Sequence, residues 1–363
     1  MVLWGSGAAA CARRPRKATA PAPLPPFSLM GRRLPPKDRR ATNLQASMRI
    51  AITGGGGFLG GRLAGQLLAN GHVESVLVAD VGGGAPSPDP RVTYLGADLT
   101  DPGAASAAVD GADVVFHLAA VVSGQAEADF DLGMRVNVDG TRSLLEAARA
   151  GGRRPKFVFA SSLAVFGPPL PDVITDDTAA RPRSSYGAQK AIGELLVSDY
   201  SRKGFIDGRV ARLPTVCVRP GRPNAAASSF VSGIIREPLG GQESVCPVAA
   251  SLELWLSSPR AAVANLAHAA WLPAGSLGER RAVNLPGITV TVAEMISVLG
   301  RLGGREAAAR VRFAEDPAVA RIVASWPSRF DVARAIGLGF VRDPGFESLV
   351  RDYMSDRAAE GAR

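Results

Sequence analysis

Long apolar runs are missing from this 363-residue chain. Although 46% of it is apolar, no uninterrupted stretch approaches the ~18 residues that a membrane-spanning helix needs. No segment is expected to span a membrane, and the expected location is cytoplasmic with no membrane partner. Cysteine is scarce and unpatterned: Cys11 lies near the start, while Cys217 and Cys246 stand singly in apolar surroundings without CxxC spacing. They read as small packing residues rather than ligands or a disulfide. The three histidines, His72, His117 and His268, are too scattered for a metal site, so no metal is expected. Internal repeats are absent. What remains is enough chain for one large domain or two coupled ones.

Acidic residues are short in one region only. Residues 1–47 hold nine basic side chains and a single acid, Asp38, which is +8 of the formal +9 and explains the sequence pI of about 10.1. The rest of the chain is close to neutral, so the basic balance does not call for a nucleic-acid partner. With seven of the 27 prolines and no sustained periodicity, residues 1–47 are expected to be disordered and to build no core. Their Arg-rich, acid-poor makeup overlaps with that of an organelle transit peptide, but the clustered prolines spoil an amphipathic helix. The alternative is an upstream start codon, with the functional chain beginning at Met48.

Glycine is plentiful and concentrated where it matters. The stretch Arg49-Ile-Ala-Ile-Thr-Gly54-Gly-Gly-Gly57-Phe-Leu-Gly60-Gly-Arg-Leu63 is an apolar run that breaks into glycines and resumes at Leu63, Leu67 and Leu68 with helical spacing. It predicts strand, tight turn, helix. Gly54 makes the turn, Gly57 lets backbone approach a pyrophosphate, and Gly60 lets the helix pack close to the strand. The free N–H groups of the first helical turn, at Phe58 and Leu59, then face the phosphates, helped by the helix dipole. About 20 residues on, Val76-Leu-Val-Ala ends in Asp80, where a dinucleotide fingerprint places the acid that accepts hydrogen bonds from the adenine ribose. Val81-Gly-Gly-Gly-Ala after it has no cation for a 2′-phosphate, which favours NAD over NADP.

Further along, Val92–Leu95 predicts a third strand, followed by Asp98 and Leu99. Asp98 reads equally as a contact to the adenine amino group or as a cap for a helix near 104–109. Asp113–Ala120 predicts a fourth strand opening onto small residues at Ala119 and Ala120, as a flat cofactor requires. A crossover helix is expected from Val136 to Ala148, then a fifth strand from Lys156 running toward Gly167 that carries Ser161 and Ser162. Tyr186 and Lys190 are four apart on one predicted helix face and reach a common site. A neighbouring ammonium suits a tyrosine acting as general base. A sixth strand is expected from Gly208 to Val218, with a substrate-facing insert after it.

In this fixed order, the TGxxGxxG turn, the serine-bearing strand and the YxxxK helix are similar to those of the extended short-chain dehydrogenase/reductases, in the NAD-dependent epimerase/dehydratase group, over Met48 to about Arg351. The resemblance implies a doubly wound α/β Rossmann sheet with a smaller C-terminal substrate-binding part. The NAD-binding portion is expected at 48–220 and 259–286, and the substrate or lid portion at 221–258 and 287–363. It implies Ser162, Tyr186 and Lys190 as catalytic residues. Cofactor contacts are expected from Gly54, Gly57, Phe58, Leu59, Gly60, Asp80, Asp98, Leu99, Ala119, Asn137, Tyr186, Lys190 and Pro214. Asn137 falls where the group keeps an active-site Asn. Phe166 departs from the pattern, since sugar-nucleotide members usually have a substrate-positioning Tyr there. The helices around 137–150 and 186–200 imply a homodimer.

Sugar-nucleotide members of the group also carry an Arg-Asp-Tyr-Ile-His-Val segment whose arginine grips the diphosphate. Aligned on Val263, this chain has Ser258 in that place, and a diphosphate without its cation loses charge-assisted hydrogen bonds. A smaller substrate is expected. The strings Val121–Met134, Ser185–Glu194 and Val218–Phe230 carry the resemblance toward members that oxidise a four-carbon sugar acid. Substrate contacts are expected from Ser123, Ser162, Tyr186, Arg219, Arg222, Asn224 and Arg260. The three arginines could offer a carboxylate a bidentate partner, although each alone also reads as a surface charge. The alternatives are a sugar-nucleotide epimerase and, from another class, a cofactor-sensing module without catalysis. Intact Ser162, Tyr186 and Lys190 argue against the second.

Overall fold

The computed structural model describes residues 47–69, 71–84 and 87–361, so the expectations for the N-terminal stretch lie outside the described residues. The first strand, β1 (Met48–Thr53), is buried from Ile50 onward and turns through glycines into α1 (Phe58–Leu68). Then follow β2 (Val73–Asp80), β3 (Val92–Gly96), α2 (Pro102–Val109) and β4 (Val114–His117). Short helices α3 (Ser123–Ala128) and α4 (Phe130–Gly133) lead through a π-turn at Met134–Asp139 into α5 (Gly140–Ala150). After β5 (Lys156–Ser162) come α6 (Ser185–Arg202), β6 (Asp207–Leu213) and β7 (Thr215–Val216).

The remainder runs α7 (Ser229–Leu239), β8 (Ser244–Cys246), β9 (Glu253–Ser257), α8 (Pro259–Trp271), α9 (Ala274–Leu277), β10 (Ala282–Asn284), β11 (Ile288–Thr291) and α10 (Val292–Gly303). It closes with α11 (Arg305–Ala309), β12 (Val311–Phe313), α12 (Pro317–Ala324), α13 (Ala333–Gly337) and α14 (Phe346–Gly361).

Seven strands form one parallel sheet in the order β10-β6-β5-β4-β1-β2-β3. This is the doubly wound Rossmann arrangement, and its topological switch lies between β1 and β4. Both faces are covered, which is why β1, β4 and β5 read as nearly continuous apolar runs. On one face, α1 and α8 pack over Ile50, Ile52, Val114 and Phe116; on the other, α2, α5 and α6 cover Ala51, Val115, Phe157 and Phe159. A second core gathers Val231, Ile234, Leu254, Leu256, Met295, Leu299 and Leu349 around the three-stranded sheet β11-β9-β7 and the pair β12-β8.

Several expected elements change at their ends. The sixth strand stops at Leu213, because Pro214 has no N–H to continue the ladder, and Thr215–Val216 pairs instead with β9 in the smaller sheet. The fifth strand stops at Ser162, whose side chain accepts from the Ala164 N–H and opens a short 3₁₀ turn. The crossover helix starts earlier than Val136 and carries the π-turn. Asp98 does not cap α2: its carboxylate accepts from the N–H and hydroxyl of Thr100, while Asp101 accepts from the N–H groups of Gly103 and Ala104 and so holds the cap. Pro102 occupies the first helical position, where a missing N–H costs nothing.

Candidate active site

The glycine turn is shaped by close backbone approach. Gly54 has φ +71°, and a Cβ on it would lie 2.5 Å from the Ala119 nitrogen; one on Gly60 would lie 2.5 Å from the Gly55 Cα. No side chain fits at either place, since the obstacles are backbone. Gly57 is exposed at the N-cap of α1, and no side chain caps that helix. The first N–H groups of α1, with the helix dipole behind them, therefore present an uncapped anion seat beside the switch point, and a dinucleotide's pyrophosphate fits it. Asp80, at the end of β2, accepts from the N–H of Gly56 at 3.2 Å and of Gly82 at 3.3 Å, which fixes its carboxylate at the lip of the turn. Arg91 is engaged by Asp89 at 2.7 Å and reaches the Leu68 carbonyl. Exposed Asp98 and buried Leu99 follow β3 at the same C-terminal edge of the sheet.

The loop after β4 connects that seat to the side chains expected to be catalytic. Asn137 clamps it: its Oδ1 accepts from the Val121 N–H at 2.8 Å, and its Nδ2 donates to the Val121 carbonyl at 3.0 Å and to Gln189 Oε1 at 2.7 Å. The π-turn puts this side chain inward, and all its hydrogen-bonding hydrogens are used within the protein. Asn137 thus fixes the loop that borders the expected cofactor site, through Val121 and Gln189.

Helix α6, capped by Ser184, brings Tyr186 and Lys190 against the end of β5. The Lys190 ammonium donates to the Ala160 carbonyl at 2.9 Å and lies 5.7 Å from the Tyr186 ring centre. Burial pushes the Lys190 pKa down to about 8, with the Glu194 carboxylate opposing. Burial pushes the Tyr186 phenol up to about 12, and a hydrogen bond with Ser162 pulls in the other direction. Behind the trio, Glu194 is held by Arg212 at 2.6 Å and accepts from Ser161 Oγ at 2.5 Å. Arg212 sits over the Phe166 ring at 4.9 Å. This buried network was not anticipated, although Glu194 lies one helical turn past Lys190 and so shares its face.

Ser162 and Tyr186 open onto a cavity of about 180 Å³ lined by Val122, Ser123, Ser161, Leu163, Leu213, Pro214, Thr215, Val216, Ala226, Ser228 and Trp326. Among the described residues, the cavity is lined by hydroxyls and apolar groups and by no charged side chain. Ser123, expected at the substrate, and Pro214, expected at the cofactor, both line this cavity, and Ser123 Oγ also accepts from the Ala227 N–H, which ties the insert to the rim. Asn224 lies just outside that lining; its side chain accepts from the Ala226 N–H and shapes the insert's turn.

The arginines are not brought to this cavity. Arg260 pairs with Asp352 at 3.2 Å and lines a separate cleft with Arg62 and Asp356. Arg222 lines another with Arg236, Glu237 and Arg357, and Arg219 donates to the Arg222 carbonyl at 3.3 Å. The surface-charge alternative fits Arg260. Thr215, Ser228 and Trp326 are lining residues that sequence reasoning missed, because their places follow from long-range folding without local pattern. Among the described residues no cluster of His, Cys, Asp or Glu could hold a metal, and no helix is long and apolar enough to cross a membrane.

Ser258 is fully buried. Its Oγ donates to Asp343 at 2.6 Å and accepts from the Ala261 N–H as the cap of α8, while its own N–H and Ser257 Oγ donate to the same carboxylate. An acid, not a cation, stands beside the position at which sugar-nucleotide members keep their arginine.

Residues 50–255 match the NAD dependent epimerase/dehydratase family, and the chain belongs to it. It is 53% identical to a D-erythronate dehydrogenase of Cupriavidus necator over 319 residues, covering 85% of this chain and 98% of that one. It is 49% identical to a D-erythronate dehydrogenase of Haemophilus influenzae, covering 85% and 99%. Among solved structures, one described as the nucleoside-diphosphate-sugar epimerase from Agrobacterium tumefaciens superposes with a TM-score of 0.82 at 45% identity, covering 86% of this chain and 95% of that one.

Proposed function

We infer that the chain is an NAD-dependent dehydrogenase that oxidises D-erythronate at C2 to 2-dehydro-D-erythronate. The observation that carries this reading is the small, uncharged cavity at Ser162 and Tyr186, in a chain about half identical to two D-erythronate dehydrogenases along nearly their whole lengths. At about 180 Å³ it falls short of the ~300 Å³ at which sites for drug-sized ligands begin, and it suits a four-carbon acid. Its hydroxyls and backbone groups would take the carboxylate in place of an arginine.

Ser162 Oγ hydrogen-bonds the C2 hydroxyl and holds it beside Tyr186. The tyrosine oxygen takes the hydroxyl proton as the C2 carbonyl forms, while the C–H electron pair leaves as hydride. Bound NAD supplies the acceptor for that hydride and a positive ring charge near the phenol. From about 12, a working value near 7 requires roughly 7 kcal/mol of preferential stabilisation of the phenolate. The Lys190 ammonium contributes to it and offers its remaining N–H donors to the nicotinamide ribose.

The portions 48–220 and 259–286 serve the cofactor, and 221–258 and 287–363 the substrate side, to which Ala226, Ser228 and Trp326 supply cavity walls. Two subunits pair through α5 and α6, which is supported by Leu195, 72% exposed on α6 beside partly exposed Ile192. The sugar-nucleotide reading carried by the Agrobacterium description lacks, at buried Ser258 beside Asp343, the cation that would grip a diphosphate.

The test follows NADH formation with D-erythronate, L-threonate, D-threonate and UDP-galactose. Turnover of D-erythronate well above the others supports the reading, and no turnover of any four-carbon acid ends it. In Tyr186→Phe the ring stays and only the phenolic oxygen is lost, so kcat should fall about 10² to 10⁴-fold with little change in KM. Full activity in that variant would remove Tyr186 from the mechanism.

A further inference from the structure

The cavity walls are small side chains from the Rossmann loops and the insert, with one exception. Trp326 is the one lining residue contributed from beyond residue 228, and with Tyr186 it is one of two aromatic rings there. It follows α12, its N–H donates to the Val323 carbonyl, and its ring packs against both hydrophobic cores.

The segment that carries it is pinned on two sides. Toward the small sheet, Thr289 Oγ1 donates to the Ser328 carbonyl at 2.6 Å, Ser328 Oγ donates to Glu253 at 3.0 Å, and Arg329 forks onto Glu253 at 2.8 and 3.1 Å. Toward the Rossmann part, Phe330 makes a β-bridge with Ile174, fixed by Ile174 N–H to the Arg329 carbonyl and Asp331 N–H to the Ile174 carbonyl. The Phe330 ring stacks on Trp255 at 5.0 Å and meets Phe166 edge-on at 6.0 Å. Phe166 is fully buried in that contact, so a tyrosine there would leave a hydroxyl to satisfy inside the core. The departure from the sugar-nucleotide pattern at Phe166 thus serves the anchor of the segment that ends the cavity.

We propose that Trp326, on the segment that the Phe166–Phe330–Trp255 stack anchors, is the specificity-determining wall that limits the substrate to four carbons. With its segment pinned at Ser328–Asp331 and its ring packed against both cores, the indole resists displacement by each added carbon with its hydroxyl. Size discrimination by a packed wall is typically worth about 10 to 200-fold per carbon unit. This rests on the sugar-acid reading above.

The test compares kcat/KM for four-, five- and six-carbon aldonates with NAD in the wild type, Trp326→Leu and Trp326→Ala. The wild type should favour the four-carbon acid, and the preference over the six-carbon acid should fall at least about tenfold in Trp326→Ala and by less in Trp326→Leu. Melting curves establish that each variant is folded; if the alanine variant is not, the leucine variant decides. A chain-length preference unchanged in the folded variants, with activity lowered equally on all acids, would overturn the proposal and leave the sugar-acid reading intact. A wild type inactive on every aldonate removes the sugar-acid reading and the proposal with it.

Discussion

His117 shows how much of the site's support is invisible in a motif. Its Nδ1 lies 2.7 Å from Thr53 Oγ1 and its Nε2 2.9 Å from Thr141 Oγ1. Because the Thr141 hydroxyl donates to the Asn137 carbonyl, the network assigns the proton to Nε2 and leaves Nδ1 to accept from Thr53. The ring therefore links β1 and β4 to the π-turn, and it does so neutral. Burial pushes its pKa down to about 3 from 6.5, and the Lys190 charge acts in the same direction. Between those values the unfolded chain binds a proton that the folded chain does not, so this residue's contribution to stability is whole above pH 6.5 and is lost as pH falls toward 3. His117→Gln keeps a side chain that hydrogen-bonds both ways and does not titrate. Its melting temperature should fall less steeply than that of the wild type between pH 6.5 and about 4, and parallel profiles would show that other groups govern acid unfolding.

At the scale of elements, Asp80 joins β2 to the glycine turn through Gly56 and Gly82, which places it at the lip of the proposed cofactor seat. A carboxylate about 4 Å from a 2′-phosphate costs roughly 1 to 4 kcal/mol, depending on how much water intervenes. The enzyme should use NAD well ahead of NADP in kcat/KM, and Asp80→Ala should narrow the gap chiefly by admitting NADP. Equal use of both by the wild type would end the assignment. Elements of this kind are legible in sequence because the constraint is local: a strand, a turn with no room for Cβ and a helix lie within a few residues, and the YxxxK spacing is one helical turn. The same holds for the strand order, since alternating strands and helices leave the parallel sheet few ways to wind. Legibility fails where distant segments meet. Pro214 lies in an apolar run that looks continuous, yet it ends β6 and sends Thr215–Val216 to a second sheet. Arg219, Arg222 and Arg260 are the right chemistry for a carboxylate, but Arg260, at the start of α8, and Arg222 line other clefts, and Arg219 turns to the Arg222 carbonyl. Asp98 and Asp101 are both plausible caps three residues apart, and only the geometry assigns the cap to Asp101.

For the whole molecule, two expectations concern assembly and extent. Pairing through α5 and α6 predicts a dimer by light scattering, and Leu195→Asp, which puts a charge on the most exposed apolar residue of α6, should shift it to monomer. A wild-type monomer would remove that surface from the account. The last expectation concerns residues 1–47. The described fold begins at β1, whose Met48 N–H is already bonded to the His72 carbonyl and whose neighbours on both sides, β2 and β4, come from later in the chain. No strand position beside β1 is left to fill, and the glycine turn, Asp80 and the proposed catalytic residues Ser162, Tyr186 and Lys190 all follow it. The N-terminal stretch carries +8 of the formal +9, so it governs the molecule's overall charge far more than its core. Deleting residues 1–47 should leave melting temperature and kcat/KM on D-erythronate unchanged, while retention on a cation exchanger falls sharply. A melting temperature lowered by several degrees would mean that the stretch contributes on the order of 1 kcal/mol or more to the fold, and the account of a fold that begins at β1 would have to be revised.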